Sequence, residues 1–321
     1  MAFLTRACRP KTSHQLFLSA CRIASYFSLK ADIRADTNRD GFVDVTGDSD
    51  ISVKSTWSRD RGAIFLANIG DTQRRCSRAL LDSNKKPSNE ELAACHDASD
   101  NIQRAPQYMA PLRTVPLKDI PHSTKGYISI PNTTQRGFVR IFRLRAKEWT
   151  FVEQGASFSA AELKEGLVLE IDARDTRRPG GWDGRVIIRF TVGDGVESSS
   201  DEVMLRVAPV VVHHHLERVQ QVMAVKDKKS LQTSQMAFLE DLNSVVQDAG
   251  ISKPLHLFEG DDRWAQDIVE PGYTSMPGPN GPISLRIMVR TGQDDRDAGR
   301  QCVHPPKRYG CGCCTAAWRR I

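Results

Sequence analysis

Arg185-Val-Ile-Ile-Arg-Phe-Thr-Val192, followed after a polar turn by Glu202-Val-Met-Leu-Arg-Val207, decides the fold. Apolar and charged residues alternate in Ile188-Arg189-Phe190, and a side-chain period of two sets one series against a core and the other toward water. Comparable runs come earlier: Ile51-Ser-Val53, Ala63-Ile-Phe-Leu-Ala67, Gly126-Tyr-Ile-Ser-Ile130, Gly137-Phe-Val-Arg-Ile-Phe142 and Gly166-Leu-Val-Leu-Glu-Ile171. Gly, Pro, Asn or Asp bounds each of them. Short strands at this spacing predict an immunoglobulin-like β-sandwich. Arg140-Ile-Phe-Arg143 reads the same way, as a strand with one buried face. Trp149 and Trp182 are expected to pack in the core or at an edge.

The pattern changes after Pro209-Val-Val-Val212 and His213-His-His215. Three successive histidines on an extended chain point to alternating sides, so this stretch reads as a linker and not a metal site. Ser234 to Ala249 carries Met236, Leu239, Leu242 and Val246 at helical spacing, with Thr233 or Ser234 as cap and Gly250 as terminator. A strand at 255–258 delivers the charged stretch Glu259-Gly-Asp-Asp-Arg-Trp-Ala-Gln-Asp267. Pro282-Ile-Ser-Leu-Arg-Ile-Met-Val289 is a further strand, leading to Arg290-Thr-Gly-Gln-Asp-Asp-Arg-Asp-Ala-Gly-Arg300. Helix, strand, acidic loop, strand and basic loop open an α/β domain. The fold class is therefore mixed β and α/β.

The 321 residues suffice for two domains, and 40% hydrophobic with 26% charged residues describes a globular chain. The net charge of +6 gathers partly at the ends, and no basic stripe interleaved with aromatics crosses the middle, so nucleic acid is not an expected partner. No apolar run reaches the length of a membrane span. Residues 1–30 form a leader of uncertain nature: Arg22 interrupts the apolar stretch that a secretory signal needs. A cytoplasmic location is expected, with secretion as the alternative. Cys76 and Cys95 flank a loop, either as a pair in an oxidising compartment or as separate buried thiols.

Two groups of oxygen-bearing side chains are candidate cation sites. Asp36, Asn38, Asp40 and Asp44 fall at positions 1, 3, 5 and 9 of a calcium loop, with Gly41 at the sharp bend. Gly47 stands where a bidentate Glu usually closes such a loop, and Asp48 and Asp50 lie nearby. The competing reading is an acidic hairpin turn. Asn68, Asp71, Asp97 and Asp100 are the second group, against a background in which acidic loops are common.

The 259–273 stretch packs four carboxylates, an arginine and a tryptophan into its first nine residues. Such a loop is either solvated surface or a binding element on a strand end. Asp262-Arg-Trp-Ala-Gln-Asp267 followed by Val269-Glu-Pro-Gly-Tyr273 resembles the first active-site segment of protein-arginine deiminases. Val203-Met-Leu-Arg-Val-Ala-Pro209 resembles the end of that family's middle domain. Ala31-Asp-Ile-Arg34 with Arg61-Gly-Ala-Ile-Phe-Leu-Ala-Asn68 resembles its calcium-binding start. The matches run in order from about residue 31 to 301 and look like a fungal-type member.

The resemblance implies residues 31–211 as an immunoglobulin-like calcium-binding domain and 212–301 as the first part of an α/β propeller, pentein-like catalytic domain. It implies hydrolysis of peptidyl arginine in proteins or peptides to citrulline and ammonia, with Ca2+ as cofactor. Asp267 would bind the guanidinium, a role that suits a carboxylate taking two parallel hydrogen bonds. Trp264 would lie along the substrate's alkyl chain, Arg296 would hold its peptide backbone, and Gln266 and Glu270 would ligate calcium. Ile268 and Asp294 depart from the family pattern and put a further calcium ion and part of the peptide grip in doubt. The tail from Cys302 to Ile321, with Cys311, Cys313 and Cys314, breaks abruptly in composition and reads as a shifted frame or misplaced splice boundary. Without the family's nucleophilic cysteine, this chain is expected to be an incomplete, inactive form. The alternatives are a non-catalytic calcium-binding sandwich and a secreted adhesion-type module.

Overall fold

A computed structural model describes residues 29–76, 89–178, 180–212, 216–227, 233–260 and 269–290. Among these the chain is mostly strand, with few helices. One sheet has five strands: β1 (Ile33–Ala35), β3 (Ala110–Thr114), β8 (Val168–Ala173), β5 (Val139–Arg145) and β6 (Glu148–Phe151), in that spatial order and antiparallel throughout. The second has β2 (Ala63–Phe65), β10 (Ser198–Val207), β9 (Arg185–Gly193), β4 (Lys125–Ser129) and β7 (Ser157–Ser159). Only its β2–β10 pair is parallel.

Ile33, Leu112, Leu169 and Ile171 of the first sheet share one core with Phe65, Val186, Ile188, Phe190, Leu205 and Phe158 of the second. Each is essentially inaccessible to water, and burial of a side chain of this size contributes about 1.5–3 kcal/mol. β9 alternates exposed and buried residues along most of its length. The half-buried strand is thus as expected from Ile188-Arg189-Phe190. Trp182 stacks on Phe138, ring centroids 4.7 Å apart, and packs against the core.

β5 departs from that pattern. Val139, Arg140, Ile141 and Phe142 are all buried. This central strand is covered on its outer side as well, because Arg140 bonds the main chain of residues 97–102. Ile51-Ser-Val53 is not a strand but a succession of turns, its backbone bonded locally from Ile51 N to Asp48 O and from Lys54 N to Ile51 O.

Helix α1 (Asn89–Cys95) ends at a disulfide between Cys95 and Cys76, so the two cysteines pair. The short helix α2 (Thr133–Arg136) is capped by Asn132. In α3 (Ala160–Glu165) Ser159 and Glu162 form a reciprocal capping box, and Leu163 reaches the core.

Beyond β11 (Val211–Val212), β12 (Met223–Asp227) and β13 (His256–Gly260) pair in parallel and are joined through α4 (Thr233–Asp248). The helix lies where its periodicity predicts. Its buried face is Gln235, Leu239 and Val246, while Met236 is exposed, so the stripe is rotated by one residue at its start. β14 (Val269–Met276) and β15 (Ile283–Arg290) form a hairpin, and β11 pairs antiparallel with β14, Val211 opposite Tyr273 and Val212 opposite Gly272. The expected linker is therefore a sheet edge in part. His213 to His215 and the tail lie outside the described residues.

Candidate functional site

The first cation candidate begins where β1 ends. Asp36 is buried, its Oδ1 accepting from Asp40 N at 3.0 Å and its Oδ2 from Gly41 N at 2.9 Å. Asn38 Oδ1 accepts from the same Asp40 N at 3.1 Å. Asp44 caps the next turn, taking Thr46 N and Gly47 N, and these hydrogen bonds hold its carboxyl well below the usual range. Asp50 is fully buried and organises the whole loop: Oδ1 accepts from Thr37 N, Thr37 Oγ1 and Asn38 N, and Oδ2 from Asp44 N. Its position near the missing twelfth ligand was the only sequence signal for it.

Arg39, although inside this loop, does not neutralise it. With φ at 65° its side chain turns away to the carbonyls of Ser58, Arg61 and Gly62 and lies 5.1 Å from the Trp57 ring centroid. Burial pushes the Asp36 carboxyl up to about 6, opposed by the Gly41 N–H and reinforced by the charges of Asp40 and Asp50. Asp36 and Asp50 are buried like charges whose carboxylates accept from no basic side chain, although Arg34 Nη1 donates to the loop carbonyls of Asp44 and Gly47 at 2.9 and 2.5 Å; such carboxylates suit a cation such as calcium. Among the described residues, however, no three His, Cys, Asp or Glu side chains converge as a metal site. A cation here would draw on Asn38 and main-chain oxygens as well.

The second group is arranged differently. Asn68 donates to Asp172 Oδ2 and to the Ala105 carbonyl, at 2.8 and 3.2 Å. Asp71 accepts from Arg75 N, and Asp97 from Thr72 N and Thr72 Oγ1. Asp100 takes both Nη groups of Arg104 at 2.6 Å, and that pairing draws its carboxyl down to about 2. Behind them Arg140 and Asp172, both with no exposed surface, form a bidentate ion pair at 2.6 and 2.9 Å. Neither Arg140 nor Asp172 stood out in the sequence, since a charged residue inside a strand reads as its solvent face. Asp71, Asp97 and Asp100 already accept from donors, Asp100 from a guanidinium, and Asn68 Oδ1 alone is a neutral amide oxygen without a partner among the described residues, so the group does not fit a divalent ion.

The Asp262–Tyr273 stretch follows β13 and runs into β14 in the sequence. Residues 261–268 connect the C-terminal end of β13, in the parallel pair, to the start of β14. Loops at the C-terminal ends of parallel strands are where such sheets bind ligands. Trp264, Gln266, Asp267 and Arg296 lie outside the described residues, as does the side chain of Glu270. The backbone of Glu270 is fixed opposite Val289, and Tyr273 stands opposite Arg286 on one side and Val211 on the other.

The 36–50 loop touches this same hairpin. A Cβ on Gly41 would stand 2.3 Å from the carbonyl carbon of Gly278, in the turn between β14 and β15, and Gly41 has φ of +89°. Only glycine permits that backbone conformation and that approach together. The acidic loop is therefore in direct contact with the turn that follows β14.

A family model described as protein-arginine deiminase (PAD) matches residues 197–312, roughly a third of the chain. The match begins in the β9–β10 hairpin region, takes in 261–273, and runs past Gln301 into the tail. Comparison with curated proteins finds no match. Among the described residues no helix is long and apolar enough to cross a membrane.

Proposed function

We propose that this chain carries the guanidinium-binding part of a calcium-dependent protein-arginine deiminase, acting on arginine side chains in proteins or peptides. The carrying observation is that the family match over residues 197–312 contains the whole Asp262–Tyr273 motif. In this reading residues 31–211 are an immunoglobulin-like domain and 212–301 open an α/β propeller, with a leader before and a Cys-rich tail at 302–321. The two face-to-face sheets support the first assignment, and the βαβ unit of β12, α4 and β13 supports the second.

Asp267 accepts two parallel hydrogen bonds from the substrate guanidinium, a geometry that fixes the plane of the reacting carbon. Trp264 covers the alkyl chain and keeps water from it, and Arg296 binds the peptide carbonyls. Gln266 and Glu270 supply hard oxygens to a calcium ion that orders the segment, and Asp36, Asn38, Asp40 and Asp44 hold another against the hairpin turn. Deimination also needs a thiolate and an acid/base histidine. The residues named here bind and orient the guanidinium and supply neither of those groups.

The test is calorimetry with an arginine peptide in millimolar calcium, paired with an assay for citrulline. Asp267→Asn should weaken binding at least about tenfold, the loss of a charge-assisted pair, and abolish any citrulline that the unaltered chain forms. Unchanged binding, or citrulline formed equally by the variant, would sink the assignment of Asp267. A non-catalytic calcium-binding module is the second reading, favoured by the buried Asp36 and Asp50 of the 36–50 loop, whose carboxylates accept from no basic side chain. It predicts calcium binding with no response to the peptide. The Cys76–Cys95 disulfide supports an oxidising compartment over the cytoplasm.

A further inference from the structure

We infer that the 94–104 turn is held by built-in guanidinium cations where the sequence offered a second candidate cation site, and that its order is independent of calcium. The observations are main-chain ones first. Arg140 Nη1 donates to the carbonyls of Asp97, Asp100 and Ile102 at 3.2, 2.8 and 3.0 Å. Arg174 Nη1 donates to those of Ala98 and Asp100 at 2.8 and 3.2 Å, and its Nη2 to Asn101 Oδ1 at 2.5 Å. Arg75 reaches the carbonyls of Ala94 and His96 at 3.3 and 3.4 Å, and Arg104 is paired with Asp100. A convergent cup of carbonyl and carboxylate oxygens is what a hard cation needs, and here guanidinium N–H groups fill it.

Charge gives the second argument. The carboxylates of Asp71, Asp97, Asp100 and Asp172 are matched by the guanidinia of Arg75, Arg104, Arg140 and Arg174, which sit against the same turn. A divalent ion added to this balanced cluster meets four positive groups, all of them bonded to oxygens of the turn. Asn68 Oδ1 is buried without a hydrogen-bond partner among the described residues, yet one neutral amide oxygen does not make a site. An arginine stays charged at any physiological pH, so the cup is never empty. The inference does not depend on the deiminase reading, because it concerns only how this turn is held.

Hydrogen–deuterium exchange on the full chain tests it, with and without EGTA, reading amides 94–104 against those of the 36–50 loop. Exchange at 94–104 should be the same in both conditions. Arg104→Gln and Arg174→Gln, both at the edge of the cluster, should speed it about tenfold, as loss of a charge-assisted hydrogen bond opens the turn, and added calcium should not restore it. Slower exchange of 94–104 on adding calcium to the unaltered chain would overturn the inference. So would unchanged exchange in both arginine variants, or a lower calcium stoichiometry in Asp100→Asn.

Discussion

Glu170 shows how one side chain on the outer face of a sheet responds to its neighbours. It lies on β8, opposite Pro111 and the buried Phe142, and its Oε2 is buried without a hydrogen-bond partner. Burial raises its carboxyl to about 7, with the Arg113 charge opposing and the Asp172 charge adding to the shift. The folded protein thus favours the protonated form more than the unfolded chain does. Its stability is fullest below the unfolded carboxyl range and declines as pH rises toward 7, levelling off above. The decline is on the order of 1–2 kcal/mol once partial solvent screening is allowed for. Glu170→Gln should match the unaltered protein in thermal unfolding near pH 5 and exceed it by a few degrees at pH 8. Equal unfolding temperatures at pH 8 would show that the carboxyl is not shifted. The sequence offered no sign of this, since Leu169-Glu170-Ile171 alternates as any half-exposed strand would.

Loops reveal more than strands about what joins the parts. The Asp36-x-Asn-x-Asp-Gly41 spacing was legible in sequence, and the structure gives it the tight carboxylate-to-amide turns that this spacing produces. Its second contribution, the seat of Gly41 against Gly278, was not legible, because nothing in a linear chain relates residues so far apart. Gly41→Ala places a methyl group on a backbone at φ of +89° and into the main chain of the hairpin turn. A loss of roughly 1–3 kcal/mol is expected from conformational strain of this kind, measured by urea unfolding. If calcium binding in the loop is transmitted to the hairpin, its affinity should fall as well. A variant as stable as the parent would show that the turn relaxes freely. The helix α4 carries the opposite lesson: its extent followed from periodicity, but Gln235 in place of Met236 on the buried face depends on β12, whose Val225 carbonyl Gln235 bonds.

At the scale of the molecule, two five-stranded sheets share one core and hold ten of the fifteen described strands, and the 36–50 loop and the 94–104 turn extend that frame at its edges. The Cys76–Cys95 disulfide closes a 19-residue separation beside the second of these. Loops of this length lose about 3 kcal/mol of stabilisation when opened. Reduction with a phosphine should therefore lower the unfolding temperature by several degrees, while an unchanged temperature would show that the pair contributes nothing to the fold. Sequence by itself determined the β-rich class, the half-buried strand β9, the helix at Thr233–Asp248 and the two acidic groups, because these depend on local period, turn chemistry and spacing. It also determined the Asp262-to-Tyr273 motif that the family match contains. Only the tertiary structure separated the two acidic groups, leaving the carboxylates of one without a basic partner, with Arg34 on its main chain alone, and setting four arginines against the other. Charge balance is the physical reason: whether a carboxylate awaits a cation depends on which guanidinium the fold brings to it, and Arg140 and Arg174 arrive from strands far away in the chain.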